Sequence, residues 1–190
     1  MPPATPDEEA KLTAYGLSAA EINTLGTECI NAKTRAYCPY SHFRVGCAIL
    51  TKTPFPSTSL LSSPPSPSST TTTLFTGANV ENAAYPVGTC AERAALSTAV
   101  TQGGIRHGDV RAIGVAVDIK ETCSPCGMCR QFIREFCEGV CPVVMWDGEG
   151  VYVVRRVEEL LPLSFGPNVL PKPEELDAIR EERGDKATVD

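Results

Sequence analysis

The amino-acid sequence predicts an α/β domain in which helices pack on a mixed sheet. Three observations predict it. Stretches with helical spacing of apolar residues alternate with short apolar runs; residues 109–117 (DVRAIGVAV) have the composition of a buried strand; and two later apolar runs flank Asp147-Gly148-Glu149-Gly150, a hairpin signal. A hairpin joins antiparallel strands, so the sheet is expected to be mixed rather than wholly parallel.

Taken in order, the first helix is predicted to start at Ser18, with Glu21 three residues on completing a capping box. Ile22, Leu25 and Cys29 then fall on one helical face, so Cys29 reads as a small core hydrophobe. A turn follows at Tyr37-Cys38-Pro39-Tyr40, and Arg44 to Leu50 reads as a strand. Residues 57–73 are nearly all Ser, Thr or Pro, a composition that buries too little apolar surface to offset chain entropy. The segment is expected to be a flexible loop inserted within a single domain spanning 1–190, because loop lengthening costs little. Leu74 to Ala78 resumes a strand, and a helix is expected from Cys90 to Val100. After the strand at 109–117, Ser124 and Pro125 look like the N-cap and first position of a helix whose apolar face is Phe132, Ile133 and Phe136. Val143 to Trp146 and Val151 to Val154 are the hairpin strands, and the tail at 172–190 is charged with alternating sign, either a solvated helix or loose chain.

Composition narrows the function classes. The 190 residues are 42% hydrophobic and 21% charged, ordinary for a globular protein, with a formal net charge of -6. An acidic balance argues against a surface built to bind nucleic acid, which needs cations to neutralise phosphates. No targeting segment or apolar run of membrane-spanning length stands out, so a cytoplasmic protein without membrane contact is expected. Nine cysteines, an odd number without a secretory signal, suggest reduced thiols or a metal site rather than a disulfide framework.

The strongest chemical signal is Cys90-Ala91-Glu92 followed by Pro125-Cys126-Gly127-Met128-Cys129. A two-residue gap lets both cysteines of a Cys-x-x-Cys reach one zinc ion, and thiolates at helix starts are favoured by the helix dipole. Arg93 and Arg130 stand beside the ligands to offset the charge of three thiolates. Three ligands leave a place for water, whose pKa zinc lowers to about 7. Glu92, two residues from Cys90, is placed to shuttle that water's proton. Other readings stand beside these. Thr89 and Glu92 also fit a capping box, Cys-x-x-Cys alone also fits a redox pair, and Cys123 is a possible fourth ligand of a closed structural site. The two elements together match the signature of zinc-dependent deaminases in its all-cysteine form.

With those residues the chain resembles the small homotetrameric, zinc-dependent cytidine deaminases over roughly residues 15–170, the Ser/Thr/Pro segment excepted. The likeness rests on Tyr40-Ser41-His42-Phe43-Arg44-Val45-Gly46, Asn79-Val80-Glu81-Asn82-Ala83-Ala84-Tyr85-Pro86, Cys90-Ala91-Glu92-Arg93, Pro125-Cys126-Gly127-Met128-Cys129-Arg130-Gln131, and Leu160 to Pro167. It implies a three-layer α/β/α sandwich around a mixed five-stranded sheet, one zinc ion per chain, and a pyrimidine-salvage hydrolase acting on free cytidine and deoxycytidine. It further implies that Phe43 stacks on the pyrimidine and that Asn79 and Glu81 bond the ribose hydroxyls. The backbone near Ala91 and Ser124, with Glu92, would read the base edge, and Tyr85 and Phe165 would complete a neighbouring subunit's pocket. Without the likeness, Phe43 reads as core, Asn79 and Glu81 as turn residues, Phe165 as a tail anchor, and His42 and His107 as surface or packing residues. A related cytosine nucleoside, such as an antibiotic, is the alternative substrate, and a structural-zinc module the alternative from another class.

Overall fold

The structure is a computed structural model, and it describes residues 5–53 and 73–183. Its elements are α1 (Pro6–Ala14), α2 (Ala19–Lys33), β1 (Val45–Thr51), β2 (Leu74–Ala78), a single 3-10 turn at Tyr85–Val87, α3 (Ala91–Gly103), β3 (Val110–Val117), α4 (Gly127–Phe136), β4 (Pro142–Trp146), β5 (Tyr152–Arg156), α5 (Val157–Leu160) and α6 (Pro173–Arg183). The expected Ser/Thr/Pro loop lies outside the described residues except for Thr73, as does the end of the charged tail beyond Arg183; the described part of that tail is α6.

The five strands form one mixed sheet in the order β2-β1-β3-β4-β5, in which only β3 and β4 run parallel. Helix α4 makes the crossover between those two, as a parallel pair requires. Strand alternation sends side chains to two faces, and each face has its own core. On one face Cys47, Ile49, Ile113, Val115, Val143 and Met145 pack with Ala95 and Leu96 of α3 and Ile133 of α4. On the other, Ala48, Leu50, Ala112, Ala116, Val144 and Trp146 meet Leu12 of α1 and Leu25 and Cys29 of α2. Helices on both faces make the three-layer α/β/α sandwich.

Two glycines set how close the helices come. A Cβ on Gly46 would collide with the α2 backbone at Cys29 and Lys33, and one on Gly77 with the α3 backbone at Ala91 and Ala95. Helix and strand backbones are therefore nearly in contact on both faces at the same end of β1 and β2.

The capping box predicted at Ser18 is present: Ser18 Oγ accepts from Glu21 N at 3.2 Å and Glu21 Oε2 accepts from Ser18 N at 2.8 Å. The hairpin is present too, its turn closed by Asp147 Oδ1, which accepts from Glu149 N at 2.9 Å and Val151 N at 2.8 Å. The start of α4 differs from expectation. Cys126, not Ser124, is its N-cap, and Gly127 is its first residue, so Pro125 stands outside the helix. Helix α3 likewise takes Cys90 as N-cap, which puts Glu92 at the second helical position and excludes the Thr89–Glu92 capping box.

Helix α1 has no counterpart in the sequence reading. Its N-cap Thr5 makes no side-chain cap bond. What docks it, besides Leu12, is a buried charge. Glu8, 7% exposed, accepts from Val154 N of β5 at 2.6 Å, from Lys11 Nζ at 2.7 Å and from Arg155 Nη1 at 3.1 Å. Burial raises the Glu8 pKa, but the bonds from Lys11, Val154 and Arg155 outweigh it and hold the carboxyl below its ordinary 4.5. A depressed folded pKa means that the stabilisation is complete above the unfolded value and is lost as pH falls through the folded one. Glu8→Gln is therefore expected to lower the unfolding free energy at pH 7 by about 1–3 kcal/mol. In urea titrations the gap between variant and native chain should close as pH drops below 4.5; a gap unchanged by acid would refute the carboxylate's role. Among the described residues no helix is long and apolar enough to cross a membrane.

Candidate functional site

The site lies where β1 begins and β2 and β3 end. The registers Gly46↔Ala78 and Val45↔Val117 place those three strand ends on one edge of the sheet. Helix α3 starts at that edge after the turns that follow β2, and α4 starts there after the loop that follows β3. Two helix N-termini, each with its partial positive charge, thus converge beside the carboxyl end of a parallel strand.

Each helix start carries a cysteine in place of a capping side chain. Cys90 is the N-cap of α3, Cys126 is the N-cap of α4, and Cys129 is the third residue of α4. Their three sulfurs lie within 4.8 Å of one another, with 3.9 Å between Cys90 and Cys126. Cys129 is buried, Cys90 half-buried and Cys126 exposed, so the trio opens to one side. A hydrogen bond from Cys129 is the main influence that brings the Cys90 thiol down to about 5, with Arg93 and Cys126 adding to it; Cys129, as the donor, is pushed up. Arg93 Nη2 lies 3.9 Å from Cys90 Sγ and donates to Gly88 O at 3.1 Å. Three soft sulfur donors crowded at two helix starts, one already favoured as thiolate, are a donor set that fits zinc. Three rather than four protein ligands leave an open coordination position.

Arg130 is turned elsewhere. Its guanidinium donates to Pro125 O at 2.7 Å, Ser124 Oγ at 2.6 Å and Leu160 O at 2.9 Å, so it braces the arm that delivers Cys126 instead of facing the sulfurs. The Ser124 hydroxyl, freed from the capping role expected of it, is spent on that brace.

A cleft of about 480 Å³ is lined by Cys90 and Cys126 of the trio. Glu92, Phe43, Asn79, Glu81 and Ser124 also stand in its wall. Glu92 is 4% exposed. Burial pushes its carboxyl above the ordinary carboxylate range, and the charge on Cys90 acts in the same direction. A carboxyl held above its usual range is suited to taking up a proton and giving it back. Glu81 sits at the polar end, where Ser41 Oγ, Ser41 N and Tyr40 N donate to its carboxylate and hold it below the usual range, the Ser41 side chain foremost. The Asn79 amide is committed to the chain itself: Nδ2 donates to Phe43 O and Oδ1 accepts from Val45 N, both at 2.8 Å.

Three predicted contacts stand apart from this wall. Ala91 is fully buried at the first position of α3. Tyr85 is 75% exposed, its ring 5.8 Å from that of Tyr40, beside a smaller depression of about 270 Å³ that shares Ser41 and Glu81 with the cleft. Phe165 is 58% exposed, and its carbonyl accepts from Gln131 Nε2 at 3.0 Å. His42 and His107 are both on the surface. Ser41, Val45, Val115 and Val117, to which the sequence reading gave no role in the site, also line the cleft, as do Thr89, read there as a helix cap, and Cys123, read as a possible fourth ligand. Ser41 was legible in principle, two residues before Phe43, but a serine in a turn carries no distinguishing signal.

Comparison with known proteins agrees with this geometry. A family model described as the cytidine and deoxycytidylate deaminase zinc-binding region matches residues 68–145. The chain is 36% identical over 145 residues to a cytidine deaminase of Sporosarcina psychrophila, an alignment covering 76% of this chain and 91% of that one. It is 38% identical over 138 residues to a cytidine deaminase of Halalkalibacterium halodurans, covering 73% and 89%. The crystal structure of cytidine deaminase from Burkholderia pseudomallei superposes with a TM-score of 0.64 at 32% identity, covering 78% of this chain and all of that one.

Cys123 contacts Glu121 O through its sulfur at 3.7 Å and is not part of the sulfur trio. Cys123→Ser is therefore expected to keep one zinc per chain by atomic emission, whereas Cys129→Ser loses it. Zinc lost from Cys123→Ser would restore the closed four-cysteine site.

Proposed function

The chain belongs to the cytidine deaminase family, and from that premise we propose that it hydrolyses the exocyclic amino group of free cytidine and deoxycytidine, releasing uridine or deoxyuridine and ammonia. The observation that carries this reading is a buried Glu92 lining one cleft with Cys90 and Cys126, two of three clustered cysteine sulfurs, and with Phe43 and Glu81.

Cys90, Cys126 and Cys129 would hold zinc, which would supply a Lewis acid able to lower the pKa of water to about 7. Glu92 takes one proton from the attacking water and passes it to ring nitrogen 3 as the oxygen adds at carbon 4; it then takes the remaining proton of that hydroxyl and delivers it to the amine, which leaves as ammonia while the carbon 4 carbonyl forms. A carboxyl with a raised pKa suits this task, because it both accepts and gives within the same cycle. Arg93 offsets the negative charge of the thiolates, and Arg130 keeps the Cys126 arm in place. Phe43 supplies a flat apolar face for the pyrimidine, and Glu81, a held carboxylate, accepts from the sugar hydroxyls. The backbone at Ser124 borders the base edge, whereas Ala91, fully buried and outside the cleft lining, does not reach it. Asn79, with both ends of its amide bound to the chain, acts on the substrate through the placement of Phe43. Cleft size and a described lining that carries the Glu81 carboxylate and no Lys or Arg favour a nucleoside over a polynucleotide, and the need for reduced thiols suits the cytoplasm.

Incubating the zinc-loaded chain with cytidine and following ultraviolet absorbance tests the reading. The native chain is expected to turn over, and Glu92→Gln to retain zinc while losing about 10²–10⁴ in kcat. Substantial turnover by Glu92→Gln would end the proton-shuttle assignment.

We also propose a homotetramer in which Tyr85 and Phe165 complete neighbouring pockets. The exposure of these two rings, 75% and 58%, supports it. Light scattering is expected to give four times the chain mass of 20.3 kDa, and a monomer at assay concentration would overturn it.

A further inference from the structure

The turn before β1 carries more bonds than a connector needs. His42 N donates to Cys38 O at 3.0 Å, which closes the turn, and His42 itself has φ of 55°, a left-handed conformation uncommon for a residue with a side chain. Such a conformation persists where the surroundings over-determine it. Here the surroundings are Glu81 and Ser41. Tyr40 N and Ser41 N donate to Glu81 Oε2 at 3.0 and 3.2 Å, and Ser41 Oγ bonds Glu81 Oε1. Phe43 N donates to the same Ser41 Oγ at 3.0 Å.

A hydroxyl has one proton. Because Oγ accepts from Phe43 N and a carboxylate can only accept, the Ser41 proton goes to Glu81. The result is a directed chain from Phe43 N–H through the Ser41 hydroxyl to the Glu81 carboxylate. The other side of Phe43 is pinned as well, since its carbonyl accepts from Asn79 Nδ2 at 2.8 Å. The strip that carries Asn79 and Glu81 is tied to the same turn by Tyr37, whose N–H donates to Asn79 O at 2.9 Å and whose carbonyl accepts from Glu81 N at 2.8 Å. Of the roughly four acceptor positions on the Glu81 carboxylate, three are used by the turn, which leaves one for an incoming donor.

We propose that Ser41 is a positioning residue whose single hydroxyl fixes the Glu81 carboxylate and the Phe43 backbone relative to each other, so that the cleft reads the sugar and the base of a nucleoside at one set separation. The proposal rests on the reading of the cleft as a nucleoside site. Ser41 does not touch the reacting atoms; it acts on substrate binding through Glu81 and Phe43.

The experiment measures kcat and KM for cytidine, and the Kd of uridine by calorimetry, for the native chain, Ser41→Ala, Ser41→Thr, Glu81→Gln and the Ser41→Ala/Glu81→Gln double variant. Zinc content and thermal midpoint are recorded for each. Ser41→Ala is expected to raise KM and the uridine Kd about tenfold with kcat within about threefold of native, the pattern of lost binding rather than lost chemistry. Ser41→Thr, which keeps the hydroxyl, restores most of the affinity. In the Glu81→Gln background the effect of Ser41→Ala shrinks, because the two residues act as one unit. If Ser41→Ala fails to fold, Ser41→Cys, of similar size and weaker as a donor, carries the same expectation. An unchanged KM, a loss confined to kcat, or full additivity with Glu81→Gln overturns the proposal while native turnover leaves the deaminase reading intact. A native chain that neither turns over cytidine nor binds uridine overturns both.

Discussion

Everything at the site depends on two helices beginning at the same edge of the sheet. A metal cluster of three sulfurs needs three short side chains within a few ångströms, and no single turn of backbone supplies them here. One sulfur comes from the start of α3 and two from the start of α4, and these segments are 36 residues apart in the chain. What brings them together is strand register. β2 and β3 both end, and β1 begins, at that edge, so the helices that follow β2 and β3 are launched from neighbouring points. Gly77 lets α3 settle against β2 at backbone distance, and a side chain there would lift the helix and the Cys90 that caps it.

The same convergence serves two groups with opposite needs. Cys90 has to be an anion to be a good ligand, and it sits at a helix start with Arg93 beside it. The proposed proton shuttle requires Glu92 to hold a proton for part of a cycle, and burial two residues into the same helix raises its pKa. A single helix turn therefore stabilises charge at its mouth and resists it one step inside. The absence of any capping side chain at either helix is part of this arrangement, because the capping position is where the sulfurs stand.

Much of this was legible in the sequence, for identifiable reasons. Ser18 and Glu21 form a capping box, Asp147 to Gly150 form a hairpin turn, and Leu74 to Ala78 form a strand because each rests on local chemistry that the chain carries within a few residues. The cysteine spacing and Glu92 were legible for the same reason. Helix α1 was not, since its anchor is Glu8 reaching a backbone N–H of β5, 146 residues away. The start of α4 was misplaced by two residues because Ser124-Pro125 has the look of a cap, while the Ser124 hydroxyl is taken by Arg130 from the turn beyond. The work of Asn79 was also hidden. Its amide grips the backbone on both sides of Arg44, a pairing that only the register of β1 with β2 creates.

The pairing of β1 with β2 has one more consequence. At one end of this antiparallel ladder, Gly46 faces Ala78 beside the cleft; at the other, Leu50 faces Leu74, and Thr51 donates its N–H to the carbonyl of Thr73 at 3.2 Å and its hydroxyl to the carbonyl of Thr53 at 2.7 Å. Four residue steps separate these ends, about 13 Å of strand. The covalent path from Thr51 to Thr73 thus leaves and rejoins the sheet at the rim remote from the chemistry, through two threonines already fastened to each other. Because closure entropy grows only with the logarithm of loop length, a change of length between them is expected to leave the register that launches α3 as it is. The rim is therefore where a fluorophore or tag is expected to disturb the cleft least.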